Sequence, residues 1–162
     1  MSHTLADAQS HAVFLAIEKA LRGISEGTTS PAFAARHDPE QVFAIASALC
    51  EEGEFSKAVS VAFPLLARQE IRPRDAYLVG TCLQRMGLAA PASGVFGLCI
   101  ALEGEAPSAG PLLRQGECVA AMGDMELALQ AFDLAVEVAR DSGDAEVQSF
   151  AQAKADEIRA RR

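Results

Sequence analysis

Apolar and small residues recur along this chain in a pattern that is written three times. Aligning Gly53, Gly87 and Gly123, which lie 34 and 36 residues apart, aligns the rest. Seven residues before each glycine stands a small residue: Ala46, Gly80 or Gly116. Three places after that comes an apolar one, Leu49, Leu83 or Val119. The place just before the small residue is large in Ile45 and Val79 but is Gln115 in the third copy. Beyond the glycines follow Ala58, Ala92 and Ala128, then Ala62, Phe96 and Phe132, then Leu66, Ile100 and Val136. Spacings of three and four residues place each set on one face of a helix, one helix on either side of a glycine turn. The strongest copies are GTCLQRMGLAAPA, Gly80–Ala92, and GECVAAMGDMELA, Gly116–Ala128; ASALCEEGEFSKA, Ala46–Ala58, is a weaker third.

A helix–turn–helix unit repeating every 34 residues or so resembles the tetratricopeptide repeat. The small mid-helix residue of helix A is the one that lets helix B of the same unit approach closely. The expected fold is an all-α solenoid forming a single domain over 1–162. It comprises an N-terminal helix and link (1–38), three repeats (39–72, 73–108 and 109–142) and a capping helix (143–162). Pro39 and Pro73 start helix A of the first two repeats, and Pro91 falls in the first turn of helix B of the second. A proline there loses no helical hydrogen bond. The turn-rich loop Gly104–Pro111, GEAPSAGP, absorbs the two extra residues of the second step. Pro64 falls inside helix B of the first repeat, where a proline costs about 3 kcal/mol and predicts a kink. Gly94 and Gly97 sit inside helix B of the second and read as close packing or a local bend.

Two helices flank the array. Thr4 and Asp7 form a capping-box-like start, followed by the apolar stripe Val13, Ile17, Leu21 and Ile24. Asp144 precedes a final helix with the stripe Val147, Phe150, Ala151 and Ile158. Its acids lie at the start and its bases, Arg159 and Arg161, at the end, as the helix dipole favours. Such a helix covers core that the last repeat of a solenoid would otherwise expose.

Half of the residues are hydrophobic, enough for a core. The 22 acids against 14 bases give a net charge of −8, which argues against a nucleic-acid surface or an anionic membrane. No apolar run approaches the roughly 18 residues of a membrane span, and the N-terminus lacks a basic leader. Four cysteines without a CxxC pair suggest a reduced, cytoplasmic protein.

Catalytic chemistry is hard to place. Of His3, His11 and His37, the first two are eight apart, too far for two ligands of one metal on a helix, and read as a solvated face. Cys82 and Cys118 occupy the same place in successive repeats, which points to packing, with a redox or metal role as the alternative. Cys99 reads the same way. There is no glycine-rich phosphate loop and no GxSxG elbow. The expectation is a protein that is not an enzyme, with no catalytic residue, no metal and no cofactor.

Binding is the better prospect. Helix A residues line the concave face of such a solenoid. The stripe facing it is Phe43, Ser47 and Cys50 in the first repeat, Tyr77, Thr81 and Gln84 in the second, and Leu113, Glu117 and Ala120 in the third. Its top row is large and apolar or aromatic; the lower rows are small and polar. A groove of apolar pockets beside polar floors suits an extended peptide. The alternative is that these residues, Phe43 above all, are core covered by the N-terminal segment.

The chain also resembles a narrower family, the class II chaperones of type III secretion systems, of the LcrH/SycD translocator-chaperone type. The three repeats and the preceding helix carry the likeness, together with GISEGTTSPAFAARHDPEQVFAIASAL before and into the first repeat, GTCLQRMG in the second and GECVAAMG in the third. The cysteines matter because the general repeat consensus does not ask for them. Ser47 and Cys50, Pro64 and the glycines of the second helix B depart from the family pattern. The resemblance implies a cytosolic homodimer joined through its N-terminal part, which would involve Val13, Ile17, Leu21 and Ile24. It implies binding of a hydrophobic translocator before export, through an extended Pro-x-Leu-x-x-Pro-like segment on the nine stripe residues named above. A general tetratricopeptide adaptor for a regulatory or assembly partner is the other function expected of such a chain.

Overall fold

The computed structural model describes residues 38–161. The expected N-terminal helix, its stripe Val13, Ile17, Leu21 and Ile24, and all three histidines lie outside the described residues. Seven α-helices occur among the described residues, and no strand. They are α1 (Pro39–Glu51), α2 (Phe55–Ala62), α3 (Pro73–Arg85), α4 (Ala89–Glu103), α5 (Ala109–Ala121), α6 (Met125–Ser142) and α7 (Ala145–Ala160). A 3-10 helix, Phe63–Ala67, follows α2. The hairpins α1/α2, α3/α4 and α5/α6 stack in order, with α7 packed on α6. Helices α1, α3, α5 and α7 adjoin one another as an A layer; α2, α4 and α6 lie behind it.

Each hairpin turns by the same device. After α3, Gly87 adopts φ +78°, a conformation closed to most side chains. This lets the Leu88 amide donate to the Leu83 carbonyl at 3.0 Å. The same bond recurs as Glu54 to Leu49 at 2.8 Å and Asp124 to Val119 at 3.3 Å. Helix starts are sealed individually. The carboxylates of Asp38, Asp124 and Asp144 accept from the amides of Glu40, Leu127 and Val147. Pro39 and Pro73 occupy first-turn positions of α1 and α3. In the longer second loop, Glu103 at the end of α4 accepts from the Ser108 amide at 2.7 Å, tying the start of α5 to the preceding hairpin.

The packing inside a hairpin explains why one repeat position varies. A Cβ on Gly80 would lie 2.8 Å from the Phe96 ring, and one on Gly116 would lie 2.7 Å from the Phe132 ring. Both phenylalanines are fully buried. In the first repeat the corresponding residues are Ala46 and Ala62, both 0% exposed. Glycine against phenylalanine and alanine against alanine are two solutions to one helix–helix spacing.

Three expectations change. Pro64 does not kink a helix: α2 ends at Ala62 and the chain tightens into the 3-10 turn, with Pro64 near its start. A proline there loses no backbone bond. The most buried residues late in the B helices are Leu65, Cys99 and Ala135; their neighbours Leu66, Ile100 and Val136 are only partly buried. Steps of four then three residues from Ala58, Ala92 and Ala128 give this face, and the next residue lies around the helix from it. On α7 the buried face is Ala151, Ala155 and Ile158, flanked by Val147, whereas Phe150 is 48% exposed beneath the Lys154 ammonium. Helix α4 passes unbroken through Gly94 and Gly97; Gly94 has open space around it, and Gly97 faces the Gln115 side chain of α5.

Candidate functional site

The nine stripe residues stand on three neighbouring helices of the A layer. Phe43, Ser47 and Cys50 are on α1, Tyr77, Thr81 and Gln84 on α3, and Leu113, Glu117 and Ala120 on α5. Eight are partly buried, as side chains on a wall open to solvent would be. Leu113 is the exception: it is 8% exposed and belongs to the core with Leu112, Val119 and Phe132.

The top of the layer is held by charge. Asp75, in the first turn of α3, is fully buried. A buried carboxylate needs a compensating cation. Arg72 supplies it through two parallel bonds, Nε to Oδ2 at 2.9 Å and Nη2 to Oδ1 at 3.0 Å. Arg72 also donates to Glu40 of α1, as does Arg74, so one carboxylate joins the first repeat to the second. The Arg74 bond holds the Glu40 carboxyl below its ordinary pKa. The Arg74 guanidinium in turn lies 4.4 Å over the Phe43 ring, so that ring is roofed by a cation.

In the middle, Tyr77 packs edge-on against Phe96, with ring centroids 5.7 Å apart. Its hydroxyl end approaches Gly110 and Arg114 of the next repeat. Thr81 spends its hydroxyl on the Tyr77 carbonyl of its own helix, at 2.8 Å. Cys82 and Cys118 are buried at 0% and 1% exposure, and burial pushes their thiols up to about 12 and about 11. Thiols so far from ionising are poor nucleophiles and poor ligands. Cys99, also raised to about 11 by burial, donates to the Pro73 carbonyl at 3.2 Å and ties α4 to the start of α3. Cys50 alone is partly exposed.

At the lower end the stripe opens into a cleft of about 520 Å³. Gln84, Glu117 and Ala120 line it; the other six stripe residues do not. Gln84 Nε2 donates to Glu117 Oε2 at 2.8 Å across the two repeats, and Arg114 donates to the same oxygen at 3.1 Å. Burial opposes the Arg114 charge, but the Tyr77 hydroxyl and Glu117 outweigh it, and its pKa is raised. The far wall comes from α6 and α7: Met125, Phe132, Lys154, Glu157 and Ile158, with Arg161 just beyond. Sequence reasoning missed Arg114, Arg85 and the α7 wall. The three-residue step from Arg114 to Glu117 was a visible signal for the first; the part played by α7 depends on how the last helix docks.

Among the described residues no group of three or more His, Cys, Asp or Glu side chains could hold a metal ion. No helix among them is long and apolar enough to cross a membrane. What the face offers is a wall of partly buried side chains, polar donors and an open cleft, all suited to binding a chain segment.

No family model and no curated protein matches the sequence. Solved structures do. PcrH, crystallised with the chaperone binding region of PopD, superposes with a TM-score of 0.71 at 21% identity, over 75% of this chain and 91% of that one. The Yersinia enterocolitica type III secretion chaperone SycD, in complex with a peptide of the translocator YopD, gives 0.70 at 20% identity, over 75% and 92%. SycD has also been solved as an alternative dimer. A type III secretion complex from Aeromonas hydrophila gives 0.72 at 17% identity, over 90% and 96%. At these identities the likeness establishes a shared fold, that of helical-repeat chaperones.

Proposed function

We propose that this protein is a cytoplasmic chaperone of a type III secretion system, which binds an extended segment of a hydrophobic translocator along its A layer and keeps it soluble for export. The observation that carries the proposal is the coincidence of fold and face. The fold is shared with chaperones solved together with translocator segments. The stripe of Phe43, Ser47, Cys50, Tyr77, Thr81, Gln84, Glu117 and Ala120 is partly exposed on the layer that a segment would cross. Leu113 supports that wall from within the core. Such a role needs binding and shielding of apolar surface, with no covalent step. The repeats at 39–72, 73–108 and 109–142 form the binding unit, and the part before them, with Val13, Ile17, Leu21 and Ile24, joins two copies as a homodimer.

Co-expression with a hydrophobic translocator from the same organism tests the role. The expected result is a soluble complex that co-purifies at a fixed ratio. A translocator that stays insoluble beside a folded, soluble chain would favour an adaptor for another partner. Sedimentation of the purified full chain tests the dimer; a monomer at micromolar concentration would remove it.

A further inference from the structure

We propose that the cleft at the α7 end of the A layer holds an acidic side chain of the bound segment, an inference that rests on the segment-binding role proposed above. The cleft carries charge of the wrong sign for this molecule. Four bases line it, Arg85, Arg114, Lys154 and Arg161, against two acids, Glu117 and Glu157, in a chain whose net charge is −8. Both acids are already engaged. Glu117 accepts from Gln84 and Arg114. Glu157 faces Arg161 and, at 4.0 Å, the Lys154 ammonium. Arg85 has no ion pair among the described residues.

The floor between these charges is apolar, with Ala120, Phe132 and Ile158. A charge pair beside low-dielectric side chains gains more than it would in open water. A guanidinium presents parallel donors that match the two oxygens of a carboxylate. A carboxylate entering beside Arg85 would halve the surplus of two positive charges, whereas a lysine or arginine would add to it. The cleft therefore fixes direction: the apolar part of the segment runs along α1 and α3, and its acidic end lies toward α7.

A random dodecapeptide library selected on the immobilised full chain tests this. The bound pool is expected to combine apolar anchors with Asp or Glu near one end. For a selected peptide, changing that acid to its amide should weaken binding about five- to tenfold, the effect of one partly shielded ion pair. On the Arg85→Glu and Lys154→Glu variants, each checked for unchanged helicity, the preference should disappear and then favour Lys or Arg. Raising the salt should narrow the difference between acid and amide. Bound peptides without an acidic preference, or a preference unaltered by both variants, would overturn the acidic pocket and leave segment binding standing. Recovery of no peptide at all would overturn segment binding and the pocket together.

Discussion

Phe96 presses its ring against α3 so closely that a methyl group on Gly80 would lie 2.8 Å from a ring carbon. Phe96 is fully buried and has Tyr77 against its ring, so it has little room to retreat. Gly80→Ala should therefore destabilise by up to about 2 kcal/mol: overpacking costs about 1–3, and the better helix propensity of alanine returns about 1. In a Phe96→Ala background the same change should stabilise, because it moves the second repeat toward the Ala46 and Ala62 solution of the first. Urea unfolding of the two single variants and the double variant measures this change of sign; additive effects would mean that the two residues are not coupled.

Arg72 and Asp75 form the buried end of a network that reaches Glu40. Removing the cation with Arg72→Ala leaves a fully buried carboxylate without its partner. The expected loss is about 3 kcal/mol, at the low end for such a deletion because the Arg72 side chain is itself 29% exposed. Glu40→Gln, at the exposed end, should cost far less. Denaturant melts of both variants rank them, and equal losses would place the weight of the network at the surface.

The pH dependence follows from the same network. Arg74 holds the Glu40 carboxyl below its ordinary value of 4.5. A carboxylate depressed in the fold contributes stability above its unfolded pKa and loses it as pH falls through the folded one. Lowering the pH from 6 to 3 should thus destabilise the native chain more than Glu40→Gln, as read by unfolding midpoints.

The thiols respond at the other end of the scale. Burial raises Cys82 to about 12 and Cys99 and Cys118 to about 11, from an ordinary 9.0. The folded state holds these protons longer than the unfolded state, so stability should fall as pH rises above 9.0. At pH 8 one thiol, Cys50, should be alkylated quickly and three only on unfolding. Mass spectrometry of a timed iodoacetamide reaction counts them.

The repeats were legible because the close approaches that hold them require particular residues. Gly80 and Gly116 are fixed by contacts within one hairpin and the turn glycines by their positive φ, so they recur in sequence at the period of the structure. The face proposed to bind is less legible. Thr81 and Leu113 share the spacing of the stripe, yet the hydroxyl of Thr81 is spent on its own helix and Leu113 is core. Helical periodicity finds a face but does not tell how far a neighbouring repeat covers it. Of the cleft, only the near wall of Gln84, Glu117 and Ala120 was legible, because its far wall includes α7, whose docking on α6 involves the Arg159–Asp133 ion pair and alanine packing that no repeat pattern encodes.

Ala120 and Leu113 separate binding from stability. Both were expected on the binding face, about two turns apart on α5. Ala120 lines the cleft and is partly exposed at the edge of the core, so Ala120→Trp should fill the opening from its solvent side. Binding of the client segment should drop at least tenfold, with an unfolding midpoint close to that of the native chain. Leu113→Glu should do the reverse in kind: it buries a charge beside Phe132 and Val119 and should cost about 3 kcal/mol or more of stability, with any loss of binding following from unfolding of the third repeat. Titration calorimetry and thermal melts on both variants give the four numbers. If Ala120→Trp binds as tightly as the native chain, the client does not pass through the cleft, and the segment must lie on α1 and α3 alone.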